Sequence, residues 1–206
     1  MKYRILDLIL LLILIPILLP IFILISCYLF LTIGSPVLFI QNRAGKDGKV
    51  FKLYKFRTMA NFNEHSKNNI NKEFTHEEFE RSRVLKATKF LRKTRLDETP
   101  QLFNIFKNDI SFVGPRPLLL EYNSLYNPTQ KKRLSVKPGI TGWSQVNGAN
   151  TISWTEKFEL DVWYVENKSF LLNIKIIFMT LKYFVKKLFD KNDDEIYLHD
   201  KFNGEN

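Results

Sequence analysis

Two adjacent carboxylates, Asp97 and Glu98, are the residues of this chain that best suit chemistry on a phosphate. Basic residues flank them in the sequence, with Arg92 upstream and Arg116 downstream between two prolines. Nearby cations favour the ionised form of a carboxylate, which both a nucleophile and a metal ligand require. An acidic pair before a helix also has a purely structural interpretation, because it interacts favourably with the helix dipole.

Four basic residues are candidates for binding phosphate oxygens, namely Lys55, Arg57, Arg92 and Arg116. The prolines on both sides of Arg116 restrict its backbone, and a guanidinium offers a planar fork of donors that matches phosphate oxygens. A structural role, in which Arg116 bridges helix carbonyls or a carboxylate, is an equally good interpretation of the same residues.

Other sequence features carry less information about chemistry. The loop 137–143 contains two glycines and could let backbone amides approach an anion, although it has no Walker pattern. Trp143 and Trp154 suit either stacking on a base or sugar, or burial in a core. The single cysteine and the three scattered histidines exclude a disulfide framework and a Cys/His metal site. A metal would therefore be a hard cation bound by oxygen.

The composition narrows the function classes. With 206 residues the chain can bury one core of ordinary size but hardly two. Lys and Arg outnumber Asp and Glu by 31 to 21, which suits phosphates, nucleic acid or an anionic membrane surface. Nucleic-acid binding has only the net charge in its favour. A second class of function is a non-catalytic, membrane-anchored adaptor whose basic face binds anionic lipid or a partner protein.

The N-terminal region is membrane sequence. No charged side chain occurs from Leu8 to Asn42, which exceeds the roughly 20 apolar residues that span a bilayer. No small-residue cleavage site follows, so we expect no secretory signal. Both flanks of this region are basic, and the positive-inside rule draws both ends toward the cytoplasm. Pro16 and Pro20 would allow a kinked helix that returns to the same face, but a kinked single span fits these residues equally well.

The remaining elements form a small α+β domain in which helices predominate. Strands are predicted at 37–41 and 50–54, around a turn-rich segment, so they should pair as a hairpin. The segment 111–149 has many prolines and glycines and is predicted to form loops. The polar segment 60–80 is a candidate for a flexible lid, or else a solvated excursion without function.

Helices are predicted at 84–92, 100–107 and 170–189. Thr99 is the expected N-cap of the second, which would place the acidic pair immediately before its N-terminus. In the third, Lys175, Lys182 and Lys186 share one face, which favours a helix in the membrane surface with its lysines toward headgroups over a core helix with a solvated lysine stripe. The predicted organisation is therefore a membrane helix at 1–36, a cytosolic catalytic domain at 37–169, an interfacial amphipathic helix at 170–190 and a polar, loosely ordered tail at 191–206.

Five segments in this order resemble the bacterial sugar transferases, the monotopic polyprenyl-phosphate phosphoglycosyl transferases, over nearly the whole chain. They are Gln41-Asn42-Arg43-Ala44-Gly45, Tyr54-Lys55-Phe56-Arg57-Thr58-Met59, Leu91-Arg92-Lys93-Thr94-Arg95-Leu96-Asp97-Glu98-Thr99-Pro100-Gln101-Leu102-Phe103-Asn104, Ser111-Phe112-Val113-Gly114-Pro115-Arg116-Pro117 and Lys137-Pro138-Gly139-Ile140-Thr141-Gly142-Trp143-Ser144-Gln145-Val146-Asn147-Gly148. Among these enzymes the chain resembles the minimal transferases of protein glycosylation that use UDP-di-N-acetylbacillosamine.

The resemblance implies a reaction and a set of roles. Asp97 would attack the β-phosphate of a UDP-sugar, UMP would leave, and polyprenyl phosphate would then accept the sugar phosphate from Asp97. Glu98 would bind Mg²⁺, while Arg92 and Arg116, with Lys55 and Arg57 as weaker candidates, would bind phosphate oxygens. Such an enzyme would lie at the cytoplasmic face of the bacterial inner membrane, in contact with membrane lipid and with other glycan-assembly enzymes.

The resemblance also implies a re-entrant membrane helix that is broken at a proline, matched here by Pro20. Two positions depart from the family pattern. Leu19 precedes Pro20 where relatives commonly carry a serine, which leaves the depth of the membrane hairpin open. Arg95 stands where relatives usually carry a small serine, and its charge beside the acidic pair bears on the sugar preference.

Overall fold

A computed structural model of the protein describes residues 2–60, 82–148, 151–189 and 202–204. Helix α1 (Lys2–Ile33) is its longest element. The segment Tyr3–Ile33 has a mean hydropathy of 3.4 and is long and apolar enough to cross a membrane. Large side chains such as Leu12, Leu24 and Leu31 are exposed along it, which distinguishes α1 from the buried core helix of a soluble domain.

Helix α1 runs through both Pro16 and Pro20 without interruption. The predicted break at Pro20 is therefore not present as a gap in the helix. Each proline removes one backbone N–H and crowds the carbonyl four residues earlier, which weakens the helix locally while the flanking turns keep their hydrogen bonds. The helix ends at Ile33, because Gly34 adopts φ +70° and its N–H bonds the carbonyl of Phe30 at 3.1 Å.

Both ends of α1 contact the globular domain. Near its start, the Arg4 guanidinium donates to the carbonyls of Ile105 and Phe106 at 2.5 and 2.9 Å. At its other end, Arg57 donates to the carbonyls of Ile33 and Gly34 at 2.5 and 2.9 Å. The two halves of this long helix are thus held against one body of protein.

Two strands follow the membrane helix. Strands β1 (Leu38–Ala44) and β2 (Val50–Phe56) pair antiparallel, with Phe39 opposite Lys55 and Gln41 opposite Leu53. This confirms the predicted hairpin, although each strand extends further than predicted. Because Lys55 lies within β2, the backbone pairing fixes the direction of its side chain.

Short helices carry the chain from the hairpin to the acidic pair. Helix α2 (Lys89–Lys93) follows a 3-10 turn at Lys86–Thr88, and helix α3 covers Gln101–Phe106. The prediction of a helix from Val84 was wrong at its start, because Val84 forms a β-bridge with Met59. Thr99 is not the N-cap of α3. The N-cap is Pro100, no side chain caps the helix, and the Thr99 hydroxyl donates to the Leu96 carbonyl at 2.8 Å.

The segment predicted as loops contains a second small sheet. Strands β3 (Ser111–Val113) and β4 (Gly139–Thr141) pair in parallel, and the loops after them pack backbone against backbone. A Cβ at Gly139 would lie 2.1 Å from the Gly114 nitrogen, so only glycine fits there. The glycines that suggested loops are the residues that let these two strands approach each other.

The rest of the domain is helical. Helices α4 (Pro128–Lys131), α5 (Trp143–Val146), α6 (Trp154–Asn167) and α7 (Phe170–Phe189) follow, and the bounds of α7 confirm the predicted C-terminal helix. On α7, Asn173 and Ile176 are buried, whereas Lys175, Lys182 and Lys186 are exposed beside the apolar side chains of Leu171, Phe178 and Val185.

Among the described residues, the core is divided into three clusters of apolar side chains. One joins α1 to the domain through Leu11, Ile105, Ile110, Tyr164 and Ile176. A second joins α1 to the hairpin through Ile25, Leu29, Phe56 and Leu91. The third is aromatic and contains Tyr122, Tyr126, Phe158 and Phe202. Burial of Phe202 corrects the prediction that the whole polar tail is loosely ordered. The predicted lid lies almost entirely at 61–81, outside the described residues.

Candidate active site

The acidic pair occupies a tight turn between α2 and α3. Asp97 and Glu98 lie in a 3-10 turn at Leu96–Glu98, which begins after Arg95 adopts a left-handed conformation with φ +54°. The Glu98 amide bonds the Arg95 carbonyl at 3.0 Å, which closes the turn. Both acidic side chains are buried, each with 8% of its surface exposed. Their positions are therefore set by the local backbone.

Two cations bind one oxygen of Glu98. Lys55 Nζ and an Arg116 guanidinium nitrogen each lie 2.8 Å from Glu98 Oε1. Burial alone would raise the pKa of Glu98, but Arg116 and Lys55 outweigh it and hold that pKa well below its usual range. Glu98 is therefore ionised at neutral pH, as the sequence analysis predicted for this carboxylate.

Asp97 has a different environment from its neighbour. Its carboxylate has no hydrogen bond or ion pair with any other residue that the structure describes. Burial, and then the negative charge of Glu98, raise the pKa of Asp97 to about 6, against the opposing effects of Lys55, Arg92 and Arg116. The sequence predicts that nearby cations keep this carboxylate ionised at neutral pH, and Lys55, Arg92 and Arg116 do lower its pKa, although burial and Glu98 outweigh them. At pH 7 and above, Asp97 is still mostly ionised.

A buried ion pair positions Arg116. Arg133 donates to Asp161 Oδ2 through two nitrogens, at 2.8 and 3.1 Å, and to the backbone carbonyl of Arg116 at 2.8 Å. Ser144 donates to the other Asp161 oxygen at 2.7 Å. Arg133 and Asp161 were not singled out from the sequence. The sequence signal for this ion pair was that an Arg and an Asp stand at positions otherwise suited to burial. Buried charges must be paired.

The other predicted phosphate-binding residues divide into two groups. Arg92 lies on α2 and donates weakly to Thr58 Oγ1 at 3.4 Å, and its charge acts on Asp97. Arg57 is not brought to the acidic pair, because its guanidinium binds the carbonyls that end α1. The structure thus brings together Asp97, Glu98 and the cations Lys55, Arg92 and Arg116. Pro20 lies in the membrane helix, apart from this cluster.

Arg43 is a further cation at the site that the sequence analysis did not select. It lines a small polar cavity of about 20 Å³ together with Lys55, Gln101 and Arg116, which is room for roughly one water. Its Nε is buried and has no partner among the described residues. Burial, followed by the repulsion of Arg116, lowers the pKa of Arg43 to about 10. Its place in the segment 41–45 was the signal available from the sequence.

The Gly139 amide of the glycine loop at 137–143 is engaged by the backbone and is not free to bind an anion. The Gly139 amide donates to the Pro115 carbonyl at 2.9 Å, and the Pro138 carbonyl accepts from the Ser111 amide at 2.8 Å. Trp143 stacks on Trp163 with ring centres 4.8 Å apart, and Trp154 belongs to the aromatic cluster. Both tryptophans are therefore packing residues, and the loop supports Arg116 through the backbone of the neighbouring strand.

The acidic pair fits a hard divalent cation. In the described part of the chain no group of three or more His, Cys, Asp and Glu side chains could hold a metal ion. Mg²⁺ does not need one, because it is commonly bound by one or two carboxylates together with substrate phosphates. Glu98 has one oxygen engaged by cations, and Asp97 is unpaired among the described residues. The donors suit Mg²⁺ when a diphosphate supplies the remaining oxygens.

Comparison with known proteins gives the same assignment as the sequence motifs. The bacterial sugar transferase family matches residues 1–187. The uncharacterized sugar transferase EpsL of Bacillus subtilis is 51% identical over 152 residues, which cover 74% of this chain and 71% of EpsL.

Two relatives with named reactions are longer proteins. The undecaprenyl-phosphate galactose phosphotransferase of Salmonella typhimurium is 37% identical over 163 residues, which cover 75% of this chain and 34% of that protein. The UDP-glucose:undecaprenyl-phosphate glucose-1-phosphate transferase of Escherichia coli is 40% identical over 166 residues, which cover 76% of this chain and again 34% of the relative. The chain therefore belongs to the bacterial sugar transferase family and is a membrane-associated sugar-phosphate transferase.

Proposed function

We propose that the protein transfers a sugar-1-phosphate from a UDP-sugar to undecaprenyl phosphate through a covalent phosphosugar on Asp97, at the first membrane step of glycan assembly. The observation that carries this proposal is the contrast between the two carboxylates. Glu98 is bound by Lys55 and Arg116, whereas Asp97 has no hydrogen bond or ion pair among the described residues. A nucleophile must have such a free, ionised oxygen close to phosphate-binding cations.

The proposed reaction has two displacements at the same phosphorus. An Asp97 oxygen attacks the β-phosphorus, an O–P bond forms, and the bond to the bridging oxygen breaks so that UMP leaves with the electron pair. A phosphate oxygen of the lipid then attacks that phosphorus and releases the Asp97 carboxylate. Division into two steps means that a water-soluble donor and a membrane acceptor need not be bound together.

The cations would bind the diphosphate. Arg116 is held by its neighbours and presents its guanidinium at Glu98, beside the proposed nucleophile. Arg92 and Lys55 act on the charge of Asp97 and are suited to stabilise the charge that develops on the phosphate oxygens. Arg43, whose Nε has no partner among the described residues, would add a fourth cation beside Lys55 and Arg116. Arg57 is excluded from this role because it binds the end of α1.

Mg²⁺ would be held by Glu98, with Asp97 adjacent. When bound, it would offset the charge of the diphosphate and stabilise the departing UMP. For the donor, we propose an N-acetylated amino or diamino sugar, on the strength of the motif resemblance. The relatives named for galactose, glucose and N-acetylgalactosamine indicate that this family uses several sugars.

We further propose that α1 enters the membrane and returns to the cytoplasmic face of the inner membrane. A straight helix of 32 residues would be about 48 Å long, longer than a bilayer core of roughly 30 Å. Contacts of Arg4 and Arg57 hold its two ends on the same domain, which a complete crossing would not allow. The exposed apolar and lysine side chains of α7 would lie in the membrane surface.

Intact-mass spectrometry tests the central step. Protein incubated with UDP-sugar and Mg²⁺, without lipid acceptor, should gain the mass of one phosphosugar, and addition of undecaprenyl phosphate should remove it. A panel of UDP-sugars assayed for UMP release would identify the donor. Retention of turnover by a folded Asp97→Asn variant, or absence of the adduct under conditions that support turnover, would refute the two-step mechanism.

A further inference from the structure

An apolar groove lies between the membrane helix and the active site. It has a volume of about 430 Å³. One wall is the proline-flanked part of α1, with Ile15, Leu18, Leu19 and Phe22, and the opposite wall includes Pro100 and Phe103 of the α3 region. No charged side chain is among its described lining residues. The groove therefore suits a hydrocarbon ligand.

The groove lies beside the turn that carries the acidic pair. Thr99 and Pro100, which line it, directly follow Glu98 in the chain. This part of the groove is therefore close to the backbone of Glu98, while its α1 wall belongs to the membrane helix. Such a site fits a molecule with an anionic head and an apolar tail. A UDP-sugar is polar throughout, so only the lipid substrate has this shape.

We propose that this groove binds the first isoprene units of the polyprenyl acceptor and thereby aligns its phosphate with Asp97. This inference rests on the proposed function and adds a binding site for the lipid chain. An apolar cavity of about 150 Å³ holds one benzene-sized group, so 430 Å³ accommodates roughly three five-carbon units. The rest of the chain extends into the bilayer beside α1.

The chain-length dependence of the second step tests the groove in the wild-type protein. Protein carrying the phosphosugar on Asp97 is mixed with a single-isoprene phosphate, a four-isoprene phosphate or undecaprenyl phosphate, and loss of the adduct is followed by mass. We expect kcat/KM to rise from the single unit to the four-unit acceptor and then to level off. Equal values of kcat/KM for all three acceptors would overturn the proposal. They would indicate that bulk phospholipid or another part of the protein fills the groove.

A matched pair of substitutions on α1 tests where the lipid-binding groove lies. Leu19→Trp places an indole in the groove, whereas Leu24→Trp makes the same change at an exposed leucine of α1 that does not line it. We expect Leu19→Trp to lower kcat/KM for undecaprenyl phosphate about tenfold, the size of effect typical of a blocked apolar subsite. Leu24→Trp should react as the wild type does. Both variants should form the adduct from UDP-sugar at the wild-type rate.

The single-isoprene acceptor serves as the internal control. It should react equally with the wild type and Leu19→Trp, because one five-carbon unit occupies only about a third of the groove and so depends little on the rest of it. An equal loss with this acceptor, or an equal effect of Leu24→Trp, would overturn the proposal.

Phe103→Ala, on α3 and outside the membrane helix, provides a second variant if Leu19→Trp does not fold, and the same selective loss is expected. Failure of the wild type to form any adduct would instead refute the two-step reaction, and the same acceptors would then test the groove through the overall rate.

Discussion

Replacing Asp97 with asparagine should abolish adduct formation and yet stabilise the folded protein. The folded-state pKa of Asp97 is about 6, compared with a reference value of 3.8, because the carboxylate is buried beside Glu98. A difference of roughly two pKa units corresponds to about 3 kcal/mol by which the ionised side chain destabilises the fold. Asparagine has nearly the same shape and no charge, so it should recover up to this amount.

The gain in stability from Asp97→Asn should increase with pH. An acid whose pKa is raised by folding favours the folded state when protonated, and this contribution is lost as the pH rises through the folded-state value. The difference between Asp97→Asn and the wild type should therefore be largest above pH 6 and small near pH 4, where the folded protein is protonated at this position and the unfolded chain is close to its own pKa of 3.8. Glu98 responds to the charge at position 97, but its pKa lies well below its usual range, so it stays ionised in the folded state of both proteins at either pH. The more distant carboxylates titrate alike in the two proteins and cancel in the comparison.

Thermal unfolding in one detergent at pH 8 and pH 4 would measure the effect. At pH 8 we expect the Tm of Asp97→Asn to exceed that of the wild type by about 5–10 °C, since 1 kcal/mol shifts Tm by roughly 2–4 °C in a chain of this size. Glu98→Gln is the control. It should lower Tm, because Lys55 and Arg116 lose the carboxylate that both of them bind.

A neutral or destabilising effect of Asp97→Asn at pH 8 would refute the view that Asp97 is an unsatisfied buried charge. So would a gain of equal size at both pH values, since it would come from packing and not from ionisation.

Three further predictions follow from the same contacts. First, the rate of adduct formation should rise with pH through about 6 and then level off, as measured by single-turnover UMP release, because the attacking oxygen must be ionised. Second, Asp161→Asn should destabilise the fold by about 3–5 kcal/mol in denaturation experiments, because it leaves Arg133 buried without its counter-charge. Third, Arg43→Gln should raise KM for the UDP-sugar about tenfold in steady-state assays, through loss of a charge-assisted hydrogen bond. Arg57→Gln, which removes contacts to the end of α1, should instead lower Tm without this selective effect on KM.

Local patterns predicted the elements that are defined by their own sequence. The hairpin and α7 follow from apolar periodicity over seven to twenty residues, and both are present where expected. Strands β3 and β4 have only three residues each, which is too short for a period to be recognised. They pair across 28 positions of the chain because glycines permit the approach, and the same glycines are typical of loops when considered alone.

The sequence predicted which charged residues belong to the candidate site, but not which groups each of them contacts. Lys55 and Arg57 lie in one motif two residues apart, and the sequence assigns them the same role. Lys55 is within β2, where strand pairing directs its side chain to Glu98, but β2 ends at Phe56. Arg57 lies beyond the end of the strand, and its guanidinium binds the carbonyls at the end of α1. The position at which a strand ends depends on tertiary contacts. The different partners of Lys55 and Arg57 could therefore not be predicted from the sequence.

Adjacent carboxylates have different chemistry here because they share their cations unequally. Lys55 and Arg116 both bind Oε1 of Glu98, which lowers the pKa of that group and at the same time leaves Asp97 buried without a partner among the described residues. Burial, and then the negative charge of Glu98, raise the pKa of Asp97 to about 6. A carboxylate of higher basicity donates its electrons more readily to phosphorus, yet one with a pKa of about 6 is still ionised at neutral pH. Burial and the neighbouring charge thus make Asp97 the better nucleophile, and Glu98→Gln, which removes that charge, should change the pH dependence of adduct formation as well as its rate.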